Sequence, residues 1–124
     1  MRNSISILLV EDEAILAMAM KLELRAAGYH VAEVVSRGED AVAFAAESSP
    51  GVVVMDISLA GEMDGIEAAH LIRLNADVPV IFTTGYDDPQ IKARALAEHP
   101  LEFLNKPVDR HRLHGLIDSI ASKT

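Results

Sequence analysis

Five side chains in this sequence have the types and the spacing to handle a phosphoryl group. Glu11 and Asp12 follow the apolar run Ile5 to Val10, and Asp56 follows Val52-Val53-Val54-Met55. Thr84 closes the run that begins at Pro79, and Lys106 comes soon after Leu101 to Leu104 and directly before Pro107. Three carboxylates brought together repel, and each raises its neighbours' pKa unless a cation lies between them. Mg2+ (or Mn2+) suits such a set, because it is hard, takes oxygen ligands, and keeps places for water and phosphate oxygens. Glu11, Asp12 and Asp56 would share the ion, with the backbone carbonyl of Ser58 as a further ligand. Asp56 is then a carboxylate nucleophile able to form an acyl phosphate. Lys106 and the Thr84 hydroxyl would neutralise and hydrogen-bond the transferred oxygens, and phosphoryl transfer asks little beyond such positioning and charge balance.

Each residue alone has a plainer reading. Glu11 and Asp12 can cap a following helix, where acids suit the macrodipole. Asp56 can start a turn, Thr84 is ordinary in a strand, and Lys106 before a proline is most often a solvated lysine. The specificity lies in finding all of them at successive strand ends, in one order.

The elements that must position them alternate along the chain. Strands are expected at Ile5–Val10, His30–Val35, Gly51–Met55, Pro79–Thr83 and Leu101–Leu104. Between them, helical patterns cover about Glu13–Ala27 (stopped by Gly28), Gly38 or Glu39 to Glu47, Ile66–Leu74 and Pro89–Glu98, the last with proline in its first turn. Leu113, Leu116, Ile117 and Ile120 form the buried stripe of a final helix. Five strands alternating with five helices imply right-handed crossovers and a parallel sheet covered on both faces, an α/β doubly wound fold. Val52-Val53-Val54-Met55 reads as a strand buried on both sides. In such sheets ligands collect beyond the carboxyl ends of the strands, where the five candidates fall.

The 124 residues are expected to form one domain, 1–124, with no output domain within this chain, whether it works alone or is a fragment, and half of them are hydrophobic. There is no cysteine, so disulfides and thiolate metal sites are excluded. That fits a cytoplasmic location, as does a start from Met1 to Ser6 without the basic and apolar regions of a secretory leader. The longest apolar run, Ala14 to Met20, is far short of the ~20 residues needed to cross a membrane. A net charge of −8 disfavours direct binding to nucleic acid and directs attention to cations and protein partners.

With these residues in place, the chain resembles the response-regulator receiver domain of bacterial two-component signalling. The resemblance is carried by Ile7-Leu8-Leu9-Val10-Glu11-Asp12-Glu13, Val53-Val54-Met55-Asp56, Met63-Asp64-Gly65, Pro79-Val80-Ile81-Phe82-Thr83-Thr84-Gly85 and Leu104-Asn105-Lys106-Pro107. It implies a flavodoxin-like strand order 2-1-3-4-5, Asp56 as phosphoacceptor, Mg2+ on Glu11 and Asp12, and Thr84 and Lys106 as sensors of the phosphoryl group. The partner it implies is a histidine kinase or histidine phosphotransfer protein, and the chain itself is expected to be a phosphoacceptor regulator, not an enzyme. Phe103 matches the family's switch aromatic, and a cis Lys106–Pro107 bond is expected. Gly85, with Phe82 and Tyr86, is similar to a subgroup of stand-alone receivers marked by Phe-Ala-Thr-Gly, although Thr83 replaces the alanine. Tyr86 is therefore a second candidate for the switch aromatic. The loop from Asp56 to Met63 is one residue longer than the common pattern, with Ala60-Gly61 in place of a proline-containing turn. Ser58 and Tyr86, two residues beyond Asp56 and Thr84, flank the approach of water.

Three other classes share parts of this pattern. A haloacid-type phosphatase needs a second aspartate two residues after its nucleophile, where this chain has Ser58. A flavodoxin-like carrier needs a hydroxyl-rich first loop, where this chain has Glu11-Asp12-Glu13. An inactive receiver acting only as a binding module would not need the full acidic set. Elsewhere, the first helix carries two apolar stripes, Ile15, Ala19, Leu22, Ala26 and Leu16, Met20, Leu24, of which one can remain open for a partner. His111 and His114 lie i, i+3 on the last helix without a further ligand in sequence, and His30, His70 and His99 are expected at the surface or at edges.

Overall fold

The computed structural model describes residues 5–121. Residues 1–4, on which the expectation of no leader partly rests, and 122–124 lie outside them. The elements run β1 (Ser6–Val10), α1 (Ala14–Ala26), β2 (His30–Val35), α2 (Gly38–Ser48), β3 (Val52–Asp56), α3 (Gly65–Asn75), β4 (Val80–Thr84), α4 (Pro89–Leu96), β5 (Glu102–Asn105) and α5 (Arg110–Ala121). All strand pairs are parallel, in the order β2-β1-β3-β4-β5. No helix among the described residues is long and apolar enough to cross a membrane.

The continuous apolar runs are strands because both faces of the sheet are covered. Ile7, Leu8, Leu9 and Val10 are each at most 1% exposed, and alternate residues serve opposite cores. Leu8, Val10, Val53, Met55, Val80 and Phe82 pack against α2, α3 and α4. Ile7, Leu9, Val52, Val54 and Ile81 pack against Leu24 of α1 and Leu113 and Ile117 of α5. Each such side chain contributes about 1.5–3 kcal/mol by leaving water.

Boundaries shift by a residue or two for identifiable reasons. Gly51 stands outside β3, giving its N–H to Ser6 O at 2.9 Å. Pro79 has no N–H to donate; its carbonyl accepts from Val53 N at 3.0 Å, and β4 begins at Val80. The fourth helix stops at Leu96, not Glu98. Glu98 N and His99 N reach back only three residues, to Ala95 O and Leu96 O, and His99 takes φ 53 in the left-handed region. Gly28, at φ 95, ends α1 as expected, with Tyr29 N bonded to Leu24 O at 3.0 Å. The long β3–α3 loop lies against the β2–α2 junction through a bridge between Arg37 and Ala60. The Lys106–Pro107 bond is cis, as expected.

Of the two stripes on α1, the one with Leu24 faces the core. The stripe with Ile15 and Leu22, joined by Met18, is open, at 88%, 58% and 54% exposure respectively.

Candidate functional site

The carboxyl ends of β1, β3, β4 and β5 bring the predicted side chains to one rim. Glu11 leaves β1 directly, and its N–H is bonded to Val35 O at 3.0 Å, which fixes its backbone against the edge strand. Its side chain points inward and is 2% exposed. Asp56 is the last residue of β3, between β1 and β4 at the centre of the sheet, and is likewise 2% exposed. Asp12 is more open than either. The three offer one carboxylate oxygen each within 4.8 Å of one another, and form the one such acidic or histidine-containing group of three among the described residues.

Lys106 closes the cluster from β5. Its Nζ lies 2.8 Å from Glu11 Oε1, 3.2 Å from Asp56 Oδ2 and 3.9 Å from Glu13 Oε1. Its backbone is held by a 2.7 Å bond from Lys106 N to Thr84 O. Asp56 Oδ1 accepts from Ser58 N at 3.1 Å, which fixes the carboxylate plane from the loop side. Glu11 Oε2 accepts from Glu13 N at 3.1 Å, so the acid turns back over the first residue before α1.

The charges do not balance within the protein. Burial, reinforced by the hydrogen bond and charge of Glu11, pushes the Asp56 carboxyl from 3.8 up to about 7, against the pull of Lys106. Burial would also raise Glu11, but hydrogen bonds from Lys106 and Asp56 and from the Glu13 N–H outweigh it and hold Glu11 below the usual carboxylate range. Burial would lower Lys106, yet its contacts with Glu11 and Asp56 hold it above the usual lysine value. Lys106 is thus a committed cation, and one positive charge faces three carboxylates. Glu11 Oε1 is buried and faces Lys106 without an aligned hydrogen bond. A hard divalent cation, with oxygen donors already spaced for it, is the species that would relieve this set.

Thr84 ends β4, fully buried. Its Oγ1 accepts from Tyr86 N at 3.1 Å, which leaves the hydroxyl proton available as a donor and ties the β4–α4 loop to the same side chain. The two aromatic candidates sit differently. Tyr86 is 61% exposed, whereas Phe103 on β5 is half-buried against the core under α4, with Lys92 Nζ 5.8 Å from its ring centre.

Sequence reasoning gave no role to Glu13, which stands at the mouth of the cluster; its only signal was its place next to Asp12. His114 is 8% exposed, with Nε2 2.9 Å from Glu23 and its ring 5.0 Å from Tyr29. It joins α1 to α5, while His111 remains exposed.

The chain is similar to known proteins over most of its length. The family profile described as response regulator receiver domain matches residues 7–118. The transcriptional regulatory protein ZraR of Salmonella typhimurium is 33% identical over 99% of this chain and 28% of its own length. The transcriptional regulatory protein PdtaR of Mycobacterium tuberculosis is 31% identical over 94% of the chain and 57% of its own. The chain therefore spans only part of these relatives. The crystal structure of the signal receiver domain of a modulated diguanylate cyclase from Desulfovibrio desulfuricans superposes with a TM-score of 0.90, at 33% identity, over 98% of this chain and 96% of that one.

Proposed function

Because this chain belongs to the response regulator receiver domain family of two-component signalling, we propose that it takes a phosphoryl group onto Asp56 from a histidine kinase or histidine phosphotransfer protein. The observation that carries this reading is the buried Asp56 carboxylate set between Glu11, Asp12 and Lys106. Glu11, Asp12 and Asp56, with the Ser58 carbonyl, would hold Mg2+ (or Mn2+), which supplies positive charge against the developing charge of the transferred phosphoryl group.

The chemistry asked of the protein is simple. A carboxylate oxygen of Asp56 forms the O–P bond as the N–P bond to the donor imidazole breaks, and the imidazole keeps the electron pair and takes a proton from solvent. Lys106 exchanges part of its contact with Asp56 for the phosphoryl oxygens. The Thr84 hydroxyl, whose proton is not used by Tyr86, donates to another. Movement of Thr84 draws on Tyr86 N and so on the β4–α4 loop, and opens room for Phe103 or Tyr86 to turn inward. The outcome is a population shift around α4, not a new fold. Ser58 stands where a phosphatase would carry its general acid, so the chain works as a phosphoacceptor and not as a turnover enzyme.

The donor docks on the open stripe of α1, where Ile15, Met18 and Leu22 lie one to three turns from the acidic rim. An apolar, methionine-containing face of this kind fits a helix pair that presents a phosphohistidine.

Intact mass after incubation with acetyl phosphate and Mg2+ tests the core of the proposal. One phosphoryl adduct is expected in the wild type and none in Asp56→Asn. An adduct that persists in Asp56→Asn would move the acceptor elsewhere.

A further inference from the structure

Helix α4 is held with little apolar packing. Ala95 is its one fully buried side chain and Ile91 is half-buried. A cleft of about 450 Å³ runs between it and α3, lined by Ile66, Leu71 and Ala97 among others. What spans this cleft is polar, and it comes from both ends of α3. Asp64, the N-cap of α3, receives Arg94 Nη2 at 3.2 Å on Oδ2 while its Oδ1 accepts from Glu67 N at 2.8 Å. From the last turn of α3, Arg73 Nη1 donates to Glu98 O and to His99 O, both at 2.7 Å. These carbonyls lie just past the early end of α4, beside the left-handed His99, where a helix leaves acceptors unsatisfied and favours a cation. His70 adds a 3.1 Å contact to the Glu98 carboxylate.

The first residue of α3, next to Asp64, rests on the backbone of the phosphoacceptor. Gly65 N donates to Ile57 O at 2.9 Å, and a Cβ on Gly65 would stand 2.1 Å from Asp56 O. There is no slack at this contact, so displacement of the backbone at Asp56 displaces the first turn of α3. Asp64, one residue away, carries that displacement to Arg94.

We infer that α3 is a strut between Asp56 and α4, with Arg73 and Arg94 as positioning residues that hold α4 at rest. Phosphorylation then reaches α4 by a path that uses neither Thr84 nor the aromatic switch. The two arginines set how much of the population has α4 released before any phosphoryl group arrives. The inference rests on Asp56 as phosphoacceptor and α4 as the responding element.

Hydrogen exchange of the α4 amides, in wild type, Arg94→Ala, Arg73→Ala and Arg73→Lys, with and without beryllofluoride and Mg2+, tests it. Both arginines are at least partly solvated, and circular dichroism checks that each variant folds. At rest, α4 exchange should rise about threefold in Arg94→Ala, the scale of an exposed ion pair. It should rise about tenfold in Arg73→Ala, where two charge-assisted bonds are lost. Arg73→Lys should recover part of the difference, and the increment caused by beryllofluoride should shrink in both alanine variants. Resting α4 exchange equal to wild type in Arg73→Ala and Arg94→Ala would overturn the strut, as would an undiminished increment. Phosphoryl incorporation from acetyl phosphate is followed on the same samples. An adduct with unchanged exchange sinks the strut alone, whereas a wild type that takes no adduct and shows no response to beryllofluoride sinks the phosphoacceptor reading and, with it, the coupling of α3 to phosphorylation.

Discussion

Replacing Asp56 by Asn should make the metal-free protein more stable, and by an amount that depends on pH. The carboxyl stands at about 7 in the folded chain against 3.8 when solvated, pushed up by its burial and by Glu11. That gap of about three units, at about 1.36 kcal/mol each, is about 4 kcal/mol as an upper bound. Below pH 3.8 the acid is protonated in both states and there is no penalty. As pH rises, the unfolded chain ionises first and unfolding gains; the loss is complete once the folded carboxyl has also ionised, above about pH 7. Glu11, held low, is ionised in both states between pH 5 and 8 and does not contribute to the difference. Allowing about half the bound to survive relaxation and water entry, Asp56→Asn should gain about 2 kcal/mol at pH 8 and under 1 kcal/mol at pH 5. For a domain of this size that is a Tm higher by about 8 °C at pH 8 and by about 3 °C at pH 5. Calorimetry in EDTA at the two pH values reads both. A Tm difference that is flat across this range, or a variant less stable than wild type at pH 8, would mean that the buried acids do not repel.

Three further outcomes follow from the geometry. Gly65→Ala should cost about 1–3 kcal/mol in urea unfolding, since its methyl would enter the Asp56 carbonyl at 2.1 Å and backbone must move; a neutral result would mean that this junction yields. Ile15→Asp and Leu22→Asp should change stability by less than about 0.5 kcal/mol, because both side chains are exposed. The same pair should slow phosphotransfer from the cognate histidine donor about tenfold or more while leaving the rate with acetyl phosphate unchanged, and equal losses with both donors would exclude α1 as the docking face. Tyr86→Ala should alter the decay of the aspartyl phosphate by about twofold or more, measured by intact mass over time, since Tyr86 is exposed to solvent two residues beyond Thr84; identical decay would remove Tyr86 from the water path.

The parts that sequence displays well are those fixed by local pattern. Ile7-Leu8-Leu9-Val10 and Val52-Val53-Val54-Met55 are apolar without interruption because each residue meets a helix layer, whichever way it points. Once the strands are placed, Glu11, Asp56, Thr84 and Lys106 fall at their ends with no further assumption, and the structure gathers Glu11, Asp56 and Lys106 within contact distance. The end of α4 was less legible. The helical pattern continues through Ala97 and Glu98, and only the three-residue bonds and the backbone of His99 show where it stops. Which stripe of α1 stays open is not legible, since both are apolar and only the packing of the folded chain seats Leu24 against the sheet and α5. The Asp64–Arg94 and Arg73 contacts left no trace in sequence, because pairs of polar surface residues some thirty positions apart obey no period. The burial of His114 followed from Glu23 and Tyr29, which reach it from the opposite end of the chain.

The two cores on either side of the sheet share strands but no side chains, because alternate residues of each strand point to opposite faces. The α1 face that would meet a donor belongs to one, and α4 to the other. Drift in one layer therefore leaves the packing of the other largely intact. Under the proposed function, the donor face on α1 could therefore be rewritten while the α3–α4 layer is kept, or the α3–α4 layer rewritten while the donor face is kept. The acidic rim, where both layers end, is the one place that neither kind of change can touch.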